Sequence, residues 1–375
     1  LKILLLCNVK GNLGDAIRTF KIKQALEENY DVMFINLNNY FSNSKFRFFS
    51  AISFNLLRNH AYYRDWSCAK MQTFVDLSKD LIKKIIQKNK IDLIVAEGTI
   101  LGYIAIKSSD SKIPVVTDVH GIATSEYYER TGKKDKYFEW ISKIESEVFR
   151  KSFKLITVSH YMDKYILENF HISTDKIITV PNGSDVQKKV AKYNTSNLNI
   201  IYGGIYAFWE DIGTYLDLAK KSTDKYRFYI MGRGPDEKFI KYRIKKEKIK
   251  IVDLGYKNRD EALRVFSNMQ IGVAPSTKGI TRKVASPIKV FDYLACGLPV
   301  ITPKVGEWSE IIIKNKCGIV TNNSDPDEFL KAIETLSDRK IWKHMASNAV
   351  KLIKDKYNWD ILLRKLIDNI KRWDI

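Results

Sequence analysis

Residues 286–300 read SPIKVFDYLACGLPV, with a serine, a proline, a lysine and an aspartate crowding the start of an apolar run. Ser286 reads as a helix N-cap, with Pro287 at the first helical position, where a missing N–H costs nothing. Gly297 and Pro299 read as the stop. A helix begun this way leaves the amides of Ile288 and Lys289 unpaired and directed at any anion placed there. Lys289 and Asp292 are three positions apart and share a helix face. A carboxylate just behind a phosphate-accepting helix end is placed to accept hydrogen bonds from a ribose diol. The plainer reading is an i,i+3 ion pair on a solvated face, which stabilises by only a few tenths of a kcal/mol.

Three other places could carry chemistry. His120 closes the run PVVTDVHGI beside Gly121. At a strand end it suits proton handling or hydrogen bonding to sugar hydroxyls, although a lone histidine is more often structural. Gly11 and Gly14, in VKGNLGD after the first apolar run, allow a tight turn and close approach of an anion to the next helix, or are a plain turn. No acidic residue follows the second strand where a dinucleotide's ribose would want one, which counts against a dehydrogenase. In the second half, YGG at 202–204, MGRGP at 231–235 and VAPS at 273–276 end three apolar runs, and Gly204 stands at the rim where they would converge. The five histidines form no metal-ligand spacing such as H-E-x-x-H.

Short apolar runs alternate with helical patterns along nearly all of the chain. Strands are predicted over 3–7, 32–36, 93–96, 115–117, 155–158 and 177–180, and again over 199–202, 228–231, 251–254, 271–274, 300–302 and 318–320. Amphipathic stretches such as 17–28, 73–87, 136–150 and 162–169 lie between them. This alternation predicts an α/β protein with mostly parallel sheets. With 375 residues, two doubly wound domains are expected, with ligands beyond the carboxyl ends of their strands. Residues 188–198 (KKVAKYNTSNL) lose the apolar rhythm and read as the linker between a domain over 1–187 and a second over 199–357. The last stretch, 357–373, is amphipathic, with Trp359, Leu362, Leu366 and Ile370 on one face. It either caps the second domain or returns to the first.

The composition holds 63 Lys+Arg against 43 Asp+Glu, a formal charge of +20. Such a surface favours polyanions, or simply keeps a lysine-rich protein in solution. Nucleic acid is not the expected partner, since no aromatic–basic interleaving of an RNA motif is present. Residues 41–66 mix Phe46, Phe48, Phe49, Leu56 and Leu57 with Lys45, Arg47, Arg58 and Arg64. That mixture suits an anionic membrane interface or a buried helix with a basic rim. Cys7, Cys68, Cys296 and Cys317 are scattered, which predicts reduced thiols rather than a disulfide framework or zinc site. No run approaches the length of a membrane span, and the opening LKILLLC reads as a buried strand rather than a signal peptide.

Taken in order, VHG at 119–121, LITVS at 155–159, VPNGSD at 180–185, MGRGP at 231–235, VAPS at 273–276 and SPIKVFDYLACGLPV at 286–300 resemble glycosyltransferases of the GT-B fold. The resemblance is to the retaining family 4, also called glycosyl transferases group 1, and it spans nearly the whole chain. It implies two Rossmann-like domains, with a returning helix over 358–375 on the first. It also implies a nucleoside-diphosphate sugar as substrate, with no cofactor and no metal. By this resemblance Asp292 takes the place of a glutamate that holds the donor ribose, and Ser286, Pro287 and Ile288 lie at the diphosphate. His120 matches a histidine near the transferred sugar, and the loop with Gly11 and Gly14 shapes the donor–acceptor site. Two departures stand out. Val284 occupies the first position of the family's Glu-x7-Glu pattern, and Glu210-Asp211 stand near where a diphosphate lysine is usual. Arg233, Arg282, Lys283 and Lys289 are the candidate replacements, with His120, Arg233 and Lys289 assigned to the chemistry. A glycan or lipid-linked acceptor and a cytoplasmic place, peripheral at the inner membrane face, are expected. The alternative is a degenerate partner subunit that binds glycan or an active transferase without catalysing transfer.

Overall fold

A computed structural model of the protein describes residues 1–9, 14–43, 68–194, 197–222 and 224–375. Gly11 and nearly all of the basic–aromatic stretch 41–66 lie outside the described residues or their described side chains. The chain divides into two units, one formed by Leu1–Pro181 with Leu363–Ile375, the other by Asn182–Leu362.

Among the described residues, the first unit holds a parallel sheet of β1 (Lys2–Cys7), β2 (Asp31–Asn36), β3 (Leu93–Glu97), β4 (Val115–Val119), β5 (Lys154–Thr157) and β6 (Ile177–Thr179). Their order is β2-β1-β3-β4-β5-β6. The second unit holds β7 (Leu198–Ile205), β8 (Tyr226–Arg233), β9 (Ile251–Asp253), β10 (Ile271–Val273), β11 (Val300–Pro303) and β12 (Gly318–Thr321), in the order β12-β11-β10-β7-β8-β9. Each predicted strand falls on one of these twelve. Central strands such as β1 and β10 are apolar without alternation because helices cover both faces of a parallel sheet. Strand order reverses between β1 and β3 in the first unit and between β7 and β10 in the second. Those two points are where an open sheet forms a ligand crevice beyond its strand ends.

The predicted linker is part of the second unit rather than a free tether. Ala191 donates its amide to the Cys296 carbonyl at 2.8 Å, and the Tyr193 ring stands edge-on to Trp342 with centroids 5.6 Å apart. Two well-placed side chains are enough to dock a stretch of otherwise polar composition. The expected apolar face of the last helix, Trp359–Ile370, is buried at Trp359, Leu362, Leu366 and Ile370. Its C-terminal part belongs to the first unit, where Lys365 donates to the Thr179 carbonyl at 3.0 Å and Trp373 packs edge-on against Phe153. All four cysteines are free thiols. Burial pushes Cys7 and Cys317 up to about 12, so both act as small apolar residues.

One buried ion pair braces the first unit beside its crevice. Arg18, on the helix Gly14–Glu27, donates through Nε and Nη2 to Asp118 of β4 at 2.7 to 3.0 Å. Its Nη1 donates to the Val180 carbonyl at 2.9 Å. Both side chains are buried, and Asp118 lies two residues before His120. Removing one partner strands the other charge, so Arg18→Leu is expected to lower stability by about 3–5 kcal/mol in urea unfolding. Asp118→Leu added to it is expected to restore part of that loss.

Candidate functional site

At the second unit's reversal point, the pair Gly203-Gly204 comes just before the last residue of β7, Ile205. Tyr293, on the helix Ile288–Ala295, accepts the Gly203 amide at 2.6 Å and donates to the Gly203 carbonyl at 3.2 Å. The helix is thereby pinned to the strand end. A Cβ at Gly204 would stand 3.1 Å from Lys289 Cδ, so the glycine leaves the space in which the lysine lies. Gly232 and Gly234 serve a similar need, because a Cβ on either would collide with the backbone of Gly204 or Tyr206. The MGRGP motif thus closes two strand ends together.

Lys289, its side chain only 10% exposed, is ion-paired with Glu210, which ends the short turn Phe208–Glu210 after β7. The lysine also donates to the Tyr202 hydroxyl at 3.3 Å and lies 4.5 Å from that ring's centre. Arg282 approaches Glu210 at 3.5 Å, donates from Nε to Ser276 Oγ at 3.1 Å, and is 5% exposed. Its Nη2 is buried with no partner. Burial opposes the charge on Glu210, but Lys289 and Arg282 outweigh it and hold the carboxyl below the usual range. Burial pulls Lys289 down to about 8, against the pull of Glu210. At neutral pH the cluster is therefore two cations and one carboxylate. Beside it, no side chain caps the first turn of the helix Ile288–Ala295. That turn, the ammonium and the spare guanidinium nitrogen together present donors to an anion.

Several sequence expectations change. Pro287, not Ser286, is the N-cap, and the helix starts at Ile288. The Ser286 hydroxyl instead accepts the Asn182 amide at 3.1 Å, and its carbonyl accepts from Asn182 Nδ2 at 2.6 Å. Lys289 and Asp292 do not pair with each other. Asp292, 6% exposed, accepts from Ser184 Oγ at 2.6 Å and from Arg259 Nη2 at 3.0 Å, both at Oδ1. Arg233 lies apart from Lys289's cluster in its contacts, exposed at the end of β8 with its guanidinium 3.8 Å over the Tyr256 ring. Glu210, expected only as a departure, is the counter-charge of the cluster. Tyr202 and Ser184 lie inside the YGG and VPNGSD motifs with no role of their own read from them, and nothing in the local sequence marks Arg259.

In the first unit, His120 follows β4 and its Nε2 lies 3.2 Å from Glu97 Oε1, at the end of β3. Glu97 Oε2 accepts the Asn8 amide just past β1 at 3.3 Å. Glu97 thus links the ends of three neighbouring strands at the reversal point, a role the run VAEG did not announce. Gly14 opens the first helix. The helix that follows His120, Ala123–Thr131, has its first amides bound by the buried Glu145, 2.6 Å from the Ala123 nitrogen. Burial pushes that carboxyl up to about 7 despite these bonds.

Residues 200–339 match the family profile described as glycosyl transferases group 1, and residues 55–188 match glycosyltransferase family 4. The chain belongs to the glycosyltransferases of group 1. The transferase is 24% identical over 343 residues to the UDP-Gal:alpha-D-GlcNAc-diphosphoundecaprenol alpha-1,3-galactosyltransferase of Escherichia coli, covering 83% of this chain and 82% of that one. An uncharacterized glycosyltransferase of Methanocaldococcus jannaschii is 25% identical over 286 residues, 74% of each chain. Among solved structures, sucrose-phosphate synthase of Thermosynechococcus elongatus superposes with a TM-score of 0.78 at 12% identity, over 99% of both chains. Anabaena HepE, in complex with UDP-glucose, gives 0.72 at 13% identity over 99% of this chain and 100% of that one. These likenesses show the GT-B fold of the transferase.

Proposed function

We propose that the transferase moves a glycosyl group from a nucleoside-diphosphate sugar to a hydroxyl of a glycan or lipid-linked acceptor, with retention of anomeric configuration. The observation that carries this reading is the two cations Lys289 and Arg282, both held on Glu210, beside the uncapped helix turn at the second unit's crevice. The nucleotide sugar in the name of the E. coli relative and the UDP-glucose bound to HepE support the donor class. The lipid-linked diphosphate in that same name supports the acceptor class.

In this reading the diphosphate accepts hydrogen bonds from the Ile288 and Lys289 amides, the Lys289 ammonium and Arg282 Nη2. The bond from the anomeric carbon to the diphosphate oxygen breaks with its electron pair on that oxygen. These fixed donors stabilise the growing charge without a metal or cofactor. The acceptor oxygen bonds to the anomeric carbon on the face the diphosphate leaves and passes its proton to the departing diphosphate oxygen. The second carboxylate oxygen of Asp292 takes the ribose diol, since Ser184 and Arg259 both bind Oδ1. His120, oriented by Glu97, contacts a hydroxyl of the transferred sugar. A non-catalysing partner subunit is not favoured, because such a subunit has no need of two cations held at a helix end. A screen of nucleotide sugars for donor hydrolysis and for transfer to a polyprenyl-diphosphate sugar tests the proposal. Turnover of at least one donor is expected, and folded protein inert toward all of them would contradict it.

We further propose docking on an anionic bilayer. No helix among the described residues is long and apolar enough to cross a membrane. The helix Glu237–Lys246 (EKFIKYRIKK), however, exposes Phe239 and Tyr242 at 59% and 58%, among the exposed Lys238, Lys241, Lys245 and Lys246. Aromatic rings flanked by lysines suit a headgroup boundary. Co-sedimentation with phosphatidylglycerol vesicles is expected to exceed that with phosphatidylcholine, and to fall in Phe239→Ser/Tyr242→Ser. Equal binding to both vesicles would remove this proposal.

A further inference from the structure

Glu210 poses a problem for the diphosphate site, and any role for it in donor binding rests on that reading of the cluster. A carboxylate beside Lys289 and Arg282 repels an incoming diphosphate, yet it is 3% exposed and held in contact with both cations. Its turn is itself anchored, since the Thr277 amide beyond β10 donates to the Trp209 carbonyl at 3.1 Å. The reason lies in what the two cations do without it. An ammonium and a guanidinium packed together out of water repel each other, and burial alone already favours the neutral amine.

We propose that Glu210 is a positioning residue for donor binding, holding Lys289 and Arg282 side by side at the first turn of the helix Ile288–Ala295 and keeping Lys289 charged there. Arg282 and the phenol of Tyr202 face Lys289. Tyr293 and Tyr206 stand behind that phenol, and the Trp209 side chain hydrogen-bonds Glu210. Burial pushes the phenols of Tyr202, Tyr206 and Tyr293 up, so they stay neutral and Glu210 supplies the counter-charge.

Lys289, drawn by burial from 10.5 to about 8, carries its proton below that pH. Diphosphate affinity is therefore present well below pH 8 and lost as the pH rises through about 8. Without Glu210 that midpoint moves further down, by about 1–3 units for the loss of a contacting opposite charge.

Calorimetric titration of the full chain with UDP, GDP, ADP and dTDP, each alone across neutral to alkaline pH, tests this. For whichever diphosphate binds, Glu210→Gln is expected to shift the midpoint down by about 1–3 pH units. Lys289→Arg is expected to abolish the fall, because a guanidinium does not titrate there. Should Glu210→Gln fail to fold, Glu210→Asp withdraws the carboxylate by one methylene and is expected to shift the midpoint in the same direction. A wild-type midpoint in the Gln variant, or in the Asp variant where only that one folds, would overturn the role of Glu210 alone. Failure of the wild-type protein to bind any of the four would overturn the proposed function together with it.

Discussion

Lys289→Met is expected to reduce kcat/KM for donor turnover by about 10²–10³-fold, the cost of losing one preorganised donor at a developing charge. The same change strips Glu210 of its closest partner, and breaking a buried pair usually destabilises by about 3–5 kcal/mol. The loss here should fall at the low end, because Arg282 remains 3.5 Å from the carboxylate. The two effects separate in a double variant. Glu210→Gln/Lys289→Met leaves no stranded carboxylate, so its urea midpoint should recover toward wild type while turnover stays low. Turnover that recovered along with stability would show that Lys289 acts only on the fold.

His120→Ala is the second large effect. If the imidazole binds a hydroxyl of the transferred sugar or handles a proton there, its removal should cost about 10²–10⁴-fold in kcat/KM. Stability should change little, since the side chain is partly exposed, at 26%. Glu97→Gln should cost less, because the amide can still hold the ring. A loss in Glu97→Gln as large as that in His120→Ala would show that the 3.2 Å contact to Nε2 does more than hold the ring.

Local grammar carried the architecture. Twelve strands were legible because buried parallel strands are apolar without interruption and are bounded by turn residues. The last helix was legible from its i, i+3, i+4 pattern, and His120 and Gly204 from their places at strand ends. What local spacing does not reveal is which distant residue meets which. Lys289 and Asp292 share a helix face in any helical reading, yet each is drawn to a partner far along the chain. Lys289 goes to Glu210, 79 residues away, and Asp292 to Ser184, 108 away. Those pairings depend on the order in which β7, β10 and the segments after them are brought together. The same holds for Ser286, whose hydroxyl looked like a helix cap. A proline N-cap one residue later frees it to fix Asn182, a choice made by tertiary contact over local preference. The polar stretch 188–198 misled for a related reason, because Ala191 and Tyr193 dock it with few residues.

Everything proposed for the donor turns on its diphosphate binding at the first turn of the helix Ile288–Ala295, against Lys289 and Arg282. A crystal structure of the full chain with the nucleoside diphosphate it binds tests this most directly. Phosphate oxygens are expected within hydrogen-bonding distance of the Ile288 amide, Lys289 Nζ and Arg282 Nη2. A diphosphate held instead by Arg233 at the end of β8, with the Lys289 cluster left untouched, would contradict it.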